Sequence, residues 1–497
     1  MYMKLKALRL IQEKSHLFLT ILFILVSIFN LILAINHEYW RDEAQAWLIA
    51  RDCSLTPDSL FTVTSYEGHP LLWFLLLMPF AKFGFPFAGL KYISWGIMTV
   101  SLFIFLFNVK LPTLLKAALA LTPAYIYFFV VPARSYSLAG LLIICISATY
   151  NRHKDFPILY CILLSMLLQT LVIMGGFVTA LGMAWFIETL ISIIKRDTDK
   201  KVIIKNIIGL SFLLISALFL LWEFRYTSTT QSNIISLFDF IRKPLGEYKY
   251  SFEILFGKAF IPVFLLIHLS FLGLFIINKQ SRIPLITIAV GIIWQAFIYA
   301  YIYPTGNNRL ITWIYLFIFV LIVSYDSNSN YFSLKNIFII TITIALLFSW
   351  NYQYSDRLIK DLRKDMVYSY SKNVADAINN LPEDSIILSL SPDIDTSVIV
   401  QVDDRHSIYN IFNDKKSTYT DRNPKNSNKM TVSDLFKKIN SQFMDKEQVY
   451  AIVSTDKCEI KGMAEYVKES HSDISIVYES PHSFIEEDYL LIAINRN

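Results

Sequence analysis

Long apolar runs recur along the chain as far as about Trp350 and then stop. Each is roughly 17–22 residues long, enough for a helix to cross about 30 Å of hydrocarbon, and the first extends from Leu17 to Ile35. The runs are rich in Leu, Ile and Phe with scattered Gly and Pro, a pattern of helices rather than of a lipid-facing barrel. One run breaks the series. Leu71 to Phe85 is short and broken by Pro79, Lys82 and Gly84, with Pro86 following, and it reads as an external helix lying in the interface or dipping partway in.

With that segment set aside, the basic residues sort onto one side. Lys4 to Lys14, Lys110 and Lys116, Arg152 and Lys154, the Lys195–Lys201 loop, Lys279 and Arg282, and Lys335 all fall inside. Basic short loops mark the cytoplasmic face. The pattern predicts about eleven spans, a cytoplasmic N-terminus on a retained first span, and an outside C-terminus. Beyond Asn351 the pattern changes. Short β-rich runs at Ser385–Leu390 and Val449–Val453 alternate with helical patterns at Lys372–Leu381 and Val432–Ile439, which predicts a small extracytoplasmic α/β domain. The expected division is 1–350 for the membrane domain, with an external loop over 36–87, and 351–497 for the α/β domain.

Composition agrees: 55% of the 497 residues are hydrophobic and 17% charged, with a net charge of +5 and four cysteines. No basic stripe of the kind nucleic acid needs is present, and the cysteines have no metal-ligand spacing.

Almost every unusual polar residue falls on the outer face. Immediately after the first run stands His37-Glu38-Tyr39-Trp40-Arg41-Asp42-Glu43, and about two dozen residues later Tyr66-Glu67-Gly68-His69-Pro70. Pro132-Ala133-Arg134-Ser135-Tyr136 and Tyr303-Pro304-Thr305-Gly306-Asn307-Asn308-Arg309 open two further spans from the same side. Charge crowded at a membrane surface often marks a site. Each element has a plainer reading. Asp42 suits the N-cap of a helix over Asp42–Arg51, with Gln45 completing a capping box. The apolar residues Ala44, Trp47 and Leu48 would share one face of that helix. His69 before Pro suits a turn, and Arg134 and Arg309 suit snorkelling anchors. Asp393-Ile394-Asp395 suits turn or cap chemistry, and His268, near the middle of a span, suits a hydrogen bond to a neighbouring helix.

Taken together the residue types suit one reaction. A carboxylate, Asp42 supported by Glu43, can take the proton of an attacking hydroxyl. Arginines stabilise a departing phosphate through paired charged hydrogen bonds. This is the chemistry of glycosyl transfer from a polyprenyl-phosphate sugar. A transporter or flippase for a lipid-linked sugar is the alternative, although such proteins usually carry repeats and broken mid-membrane helices. A scaffold presenting the α/β domain would leave the acids unexplained.

The Asp-Glu pair after the first span, the outer His-Pro element and the Ala-Arg-Ser-Tyr turn resemble GT-C glycosyltransferases. The likeness is to the bacterial branch of the protein O-mannosyltransferases and aminoarabinose transferases, and it extends over about residues 15–350. It implies a multi-pass enzyme of the plasma membrane with a polyprenyl-phosphate-sugar donor. The acceptor, a glycan, lipid or protein, is left open. Asp42 matches the catalytic acid and Glu43 its partner. His69-Pro70 matches the His-Pro element, and Arg134 and Arg309 the basic residues near the lipid phosphate; Arg41, Tyr66, Glu67 and Tyr136, in the same outer motifs, join His69, Arg134 and Arg309 as candidate substrate-binding residues. Some relatives use a divalent metal ion and others none; Asp42, Glu43 and His69 are of the types that would hold one.

Overall fold

A computed structural model describes residues 2–497 except 197, 225–236, 303, 304, 306–308, 327–332, 352–357, 359–366, 423–429, 456, 457, 470, 486, 496 and 497. Most of the expected turn from Tyr303 to Asn308 thus lies outside the described residues. The chain divides into two compact units, and neither is continuous. One comprises Met1–Ile35, Gly68–Leu72 and Lys91–Ile359; the other comprises Asn36–Glu67, Trp73–Leu90 and Lys360–Asn497.

Among the described residues, fifteen α-helices precede residue 350. They are α1 (Tyr2–Asn36), α2 (Arg41–Asp52), α3 (Leu60–Glu67), α4 (Leu72–Lys82), α5 (Gly89–Asn108), α6 (Thr113–Ala120), α7 (Tyr136–Thr149), α8 (Pro157–Leu168), α9 (Gly175–Lys195), α10 (Lys200–Glu223), α11 (Leu237–Phe256), α12 (Phe260–Ile277), α13 (Arg282–Tyr301), α14 (Ile311–Ser324) and α15 (Leu334–Leu347). Among the described residues, six helical stretches are long and apolar enough to cross a membrane, which makes this a multi-pass membrane protein. That is fewer than the eleven expected. Several apolar runs form helices of only 10–17 residues, among them α8, α14 and α15. α4 is also short, 11 residues with Pro79 inside, and about 16 Å of helix cannot span the hydrocarbon.

The helical unit is organised around α14, all of whose residues are buried. A helix apolar on every face belongs inside a bundle. Tyr315 shows how closely its neighbours approach: a Cβ added at Gly140 on α7 would lie 2.1 Å from the Tyr315 hydroxyl. Tyr315 also stacks on Phe129, with centroids 3.6 Å apart.

Between α6 and α7 the chain leaves regular α-helix. A π-helical turn over Ala124–Phe128 leads into irregular backbone. Its polar groups find partners inside the protein: Asn30 donates to the Tyr125 carbonyl at 3.0 Å, and Ser94 to that of Val130 at 3.1 Å. Nonhelical backbone is tolerated at membrane depth only under such cover.

The second unit contains a six-stranded mixed sheet in the order β3-β2-β1-β5-β8-β7. Its strands are β1 (Ile387–Ser389), β2 (Ile408–Asn410), β3 (Lys415–Lys416), β5 (Gln448–Ser454), β7 (Ile474–Glu479) and β8 (Tyr489–Asn495), while β4 (Met430–Thr431) and β6 (Ile460–Lys461) pair separately. β1 lies parallel to β2 and β5; β8 runs antiparallel to β5 and β7. Alternation divides the strand residues between two cores. Ile387, Ile452 and Leu491 pack with α16 (Ser371–Asn379) and α17 (Pro392–Ile399). Leu388, Ala451 and Ile492 pack with α18 (Val432–Gln442) and α19 (Met463–Lys468). The result is a three-layer α/β/α arrangement, the layered outcome of strands apolar on both faces.

α2 packs against α17. The expected one-sided helix is instead buried along Glu43–Ala50. Trp47 lies 6.0 Å from the Phe87 ring, and the Gln45 side chain pairs with the backbone of Thr420. The acidic motif is therefore built into the same unit as the sheet.

The Gly140 contact gives a direct test. Gly140→Val is expected to destabilise by at least about 1–3 kcal/mol through overpacking, and Gly96→Val, with no atom within 4 Å of its Cβ, should be neutral. Thermal unfolding of the detergent-solubilised variants checks this; equal melting temperatures would contradict the packing described.

Candidate functional site

The expected site residues fall on both units. His69, Arg134, Tyr136 and Arg309 belong to the helical unit, and Arg41, Asp42, Glu43, Tyr66 and Glu67 to the sheet-containing one.

In the helical unit, Gly68 adopts φ 70°, a left-handed conformation suited to glycine, and turns the chain into His69. The Leu72 amide anchors this piece by donating to the Gln169 carbonyl at 3.0 Å. Arg134 sits in a tight turn closed by its own amide on Pro132 and by the Ser137 hydroxyl on its carbonyl, at 2.8 and 3.0 Å. Its guanidinium lies 3.0 Å from His69 Nε2 and over the Tyr136 ring at 5.6 Å. Arginine can only donate, so Nε2 of His69 is the acceptor and the ring is the neutral Nδ1–H tautomer. Arg309 stands just before α14. Its carbonyl accepts from the buried Thr312 hydroxyl at 2.7 Å, and Thr312 also reaches Gln295 on α13 at 2.9 Å. Gly68, His69, Tyr136 and Arg309 line one small cleft with Leu171, Val172 and Ile173. Three of the four residues expected here thus border a common space, and the fourth, Arg134, bonds to one of them.

A larger cavity of about 750 Å³ lies among α11, α12, α13 and α14, with an almost wholly apolar lining. His268 is on its wall, with Nδ1 2.7 Å from the Phe264 carbonyl and Nε2 bonded to the hydroxyl of Tyr248 on α11. It bridges to a neighbouring helix, as its position suggested.

In the other unit, α2 begins at Arg41 with Trp40 as N-cap. This corrects the capping expected from the sequence. The acid that turns back is Glu43, which accepts from the Trp40 amide at 3.2 Å. Asp42 is part of the first turn, its side chain 22% exposed, while Glu43 is fully buried. Gln45, released from capping, donates to Glu67 at 2.7 Å and to the Thr420 carbonyl at 2.8 Å, and accepts from the Thr420 amide at 2.8 Å. Tyr66 is partly buried beside Glu67 on the last turn of α3.

Arg422 and Glu487, which carry no signal in the sequence, complete this cluster together with Asp393. Arg422 Nε lies 3.3 Å from Glu67, and its guanidinium 3.4 Å from Asp393. Asp393 also faces Arg41 at 3.7 Å, and Arg41 faces Asp42 at 3.7 Å. Burial pushes the Glu67 carboxyl up, against the pull of Arg422 and Gln45. Glu487 accepts the Arg41 amide at 3.0 Å and the Ser369 hydroxyl at 2.7 Å. Burial raises its carboxyl to about 7, opposed by the bonds from Arg41 and Ser369. The Asp393-Ile394-Asp395 triplet divides in role: Asp395 is buried and accepts from Ser389 and Ser391, as cap chemistry requires, whereas Asp393 joins the network around α2. Only Asp393 belonged to a recognisable pattern; nothing in the sequence ties Arg422 or Glu487 to residues hundreds of positions earlier. Among the described residues, no group of three His, Cys, Asp or Glu side chains is placed to hold a metal ion.

No protein-family model matches the chain, and no curated protein matches it in sequence. Solved structures do. The crystal structure of ArnT from Cupriavidus metallidurans bound to undecaprenyl phosphate matches with a TM-score of 0.51 at 10% identity, over 95% of this chain and 97% of that one. The apo crystal structure of ArnT from the same organism matches with a TM-score of 0.50 at 12% identity and the same coverage. At such identity the likeness is one of fold. The chain shares the fold of ArnT, a multi-pass helical bundle with a C-terminal α/β domain.

The Glu487 carboxyl makes a signed pH prediction. Its folded value, about 7, lies above the ordinary 4.5. The folded state therefore keeps a proton that the unfolded chain releases, and stability falls as pH rises between these values, by about 3 kcal/mol in all. The difference in melting temperature between wild type and Glu487→Gln should shift against wild type from pH 5 to pH 8. A difference constant with pH would show that Glu487 does not titrate in this window.

Proposed function

We propose that this protein is a glycosyltransferase that moves a sugar from a polyprenyl-phosphate donor to a hydroxyl acceptor on the extracytoplasmic face, with inversion. The observation that carries the reading is the cleft bordered by His69, Tyr136 and Arg309, with Arg134 bonded to His69. It lies in a fold shared with a protein crystallised with undecaprenyl phosphate. The Arg309 guanidinium and the Tyr136 ring at the cleft, with a second guanidinium, Arg134, bonded to its His69, suit a phosphate head group, and the apolar cavity of the same unit suits an isoprenoid chain.

In this reading the hydroxyl oxygen of the acceptor attacks the anomeric carbon as Asp42 takes its proton. The anomeric carbon–oxygen bond breaks, and the electron pair leaves with the polyprenyl phosphate, whose charge Arg134 and Arg309 receive. Attack opposite the leaving group inverts the configuration. Glu43, buried and bonded to the Trp40 amide, holds the first turn of α2 in shape. Arg41, Tyr66, Glu67, His69 and Tyr136 contribute to substrate binding.

The same reading assigns the transfer machinery to residues 1–350, with the external loop 36–87, and an extracytoplasmic location to residues 351–497. It assigns a cytoplasmic N-terminus and a bacterial plasma membrane as the location.

Purified protein, incubated with synthetic polyprenyl phosphates carrying mannose, glucose or 4-amino-4-deoxyarabinose, should release polyprenyl phosphate from one of them as the sugar is transferred. Asp42→Asn should lower kcat by about 10²–10⁴-fold with the fold intact. Arg309→Ala should weaken donor binding by about 10- to 100-fold, the worth of a charged hydrogen bond. Full activity of Asp42→Asn would remove Asp42 as the base. Sugar-lipid translocation in vesicles with no transfer would favour a flippase.

A further inference from the structure

In the helical unit, α9 and α10 flank a groove of about 530 Å³ that shares no lining residue with the cleft at His69 or the cavity at His268. Its floor includes Leu168 of α8 and Leu213 of α10, both buried. Leu213 can approach α9 because residue 182 is glycine, where an added Cβ would lie 2.9 Å from Leu213 Cδ2. Its walls are exposed apolar side chains, Phe186, Leu190 and Ile193 on α9 and Ile207 and Leu214 on α10. The lining extends along α9 from Val178 to Ile193, about 22 Å of helix, against roughly 15 Å of hydrocarbon in one leaflet. An acyl chain can therefore lie in it through the whole depth of its leaflet.

Both walls run into basic residues at the same end. Positions three, four or seven apart share a helix face. Phe186, Leu190 and Ile193 follow that spacing on α9, and three positions further on the helix ends at Arg196, in the left-handed conformation with φ 55°. On α10, Leu214 and Ile207 lie seven apart, and seven positions earlier stands Lys200, its first residue. Residues 195–205 hold five basic side chains, Lys195, Arg196, Lys200, Lys201 and Lys205, against two acidic ones. All five are exposed, and among the described residues none of them makes an ion pair. Asp199 is engaged as the N-cap of α10, accepting the Lys201 amide at 2.9 Å. An apolar channel that ends in cations has the polarity of a phospholipid, with the chain in the groove and the phosphate at the basic end.

We propose that the groove between α9 and α10 binds an anionic phospholipid of the inner leaflet, with an acyl chain along Phe186, Leu190, Ile207 and Leu214 and the head group held by Arg196, Lys200 and Lys201. A head group such as phosphatidylglycerol carries a phosphate with no ammonium to offset it, so the basic end prefers it to phosphatidylcholine. The bound lipid ties α9 to α10 and stabilises the folded bundle. The proposal does not depend on the transfer reaction: the charge pattern of the loops sets this basic end inside and the His69 cleft outside.

The test uses the full-length protein in detergent, titrated with phosphatidylglycerol or phosphatidylcholine. Native mass spectrometry counts the bound lipid, and thermal unfolding reads its effect. Wild type should bind phosphatidylglycerol about 10- to 100-fold more tightly than phosphatidylcholine, at up to about fivefold per charge, and its melting temperature should rise further with the former. The variant R196Q/K200Q/K201Q should lose that preference. Ser211→Trp fills the groove from its exposed α10 wall and leaves the charges in place, so it should weaken both lipids by about tenfold or more. Lys279→Gln, exposed on another basic loop of the same side, should change neither affinity. Glycerol phosphate in large excess should not displace the lipid. A wild type without preference, a preference retained by the triple variant, an equal loss in Lys279→Gln or unaltered binding in Ser211→Trp would overturn the proposal. So would displacement by glycerol phosphate, which marks a site for a free phosphate, or a lipid-free dimer, which marks the groove as a contact between two copies of the chain.

Discussion

A membrane interior offers no water to satisfy a stray amide or carbonyl, and the helical unit depends on how it meets that constraint. The chain between α6 and α7 leaves the α-helical ladder, and backbone left unsatisfied in an apolar interior would cost several kcal/mol per group. It can do so because residues 122–133 are buried, with Asn30 and Ser94 supplying donors to carbonyls of the segment. α14, buried along its whole length, forms the wall against which this segment packs. The reward is a rigid turn that presents Arg134 to His69 at a definite distance instead of leaving it as a loose interfacial anchor.

The sheet-containing unit solves a different problem. A short helix carrying two adjacent acids in its first turn has orphan amides to satisfy and charges to compensate. Glu43 turns back on the Trp40 amide, and Glu487 supplies an external acceptor for Arg41. Gln45 meets the backbone of Thr420 like a strand partner while holding Glu67. Each acid near Asp42 thus has a distinct role, and Asp42 is left as the accessible one of the pair. The raised Glu67 and Glu487 carboxyls are consequences of this burial, which the arginines only partly offset.

Under the function proposed above, the two chemical needs fall on different units: guanidiniums for a phosphate leaving group, Arg134 and Arg309, on the helical unit, and the carboxylate for a hydroxyl nucleophile, Asp42, on the other. The fold is shared with ArnT at 10% identity, as packing patterns persist when almost every side chain has changed.

The membrane character, the α/β composition of the last third and the candidate residues were legible along the chain, because each is local. A run's length and apolarity decide whether it can enter lipid, and alternating β-rich and helical patterns announce layers. Asp42, His69, Arg134 and Arg309 stood out because polar residues are rare beside apolar runs. The number of long helices was not legible, since an apolar run does not reveal where a π-turn, a tight turn or a short helix interrupts it. Nor was the capping of α2, where the choice between Asp42 and Glu43 depended on which amide the tertiary fold left open. The partners Asp393, Arg422 and Glu487 lie some 350 to 450 positions from the motif they serve. Electrostatic and hydrogen-bonded contacts of that separation leave no periodic trace in a sequence, because they are decided by where the sheet and α17 place their loops once folded.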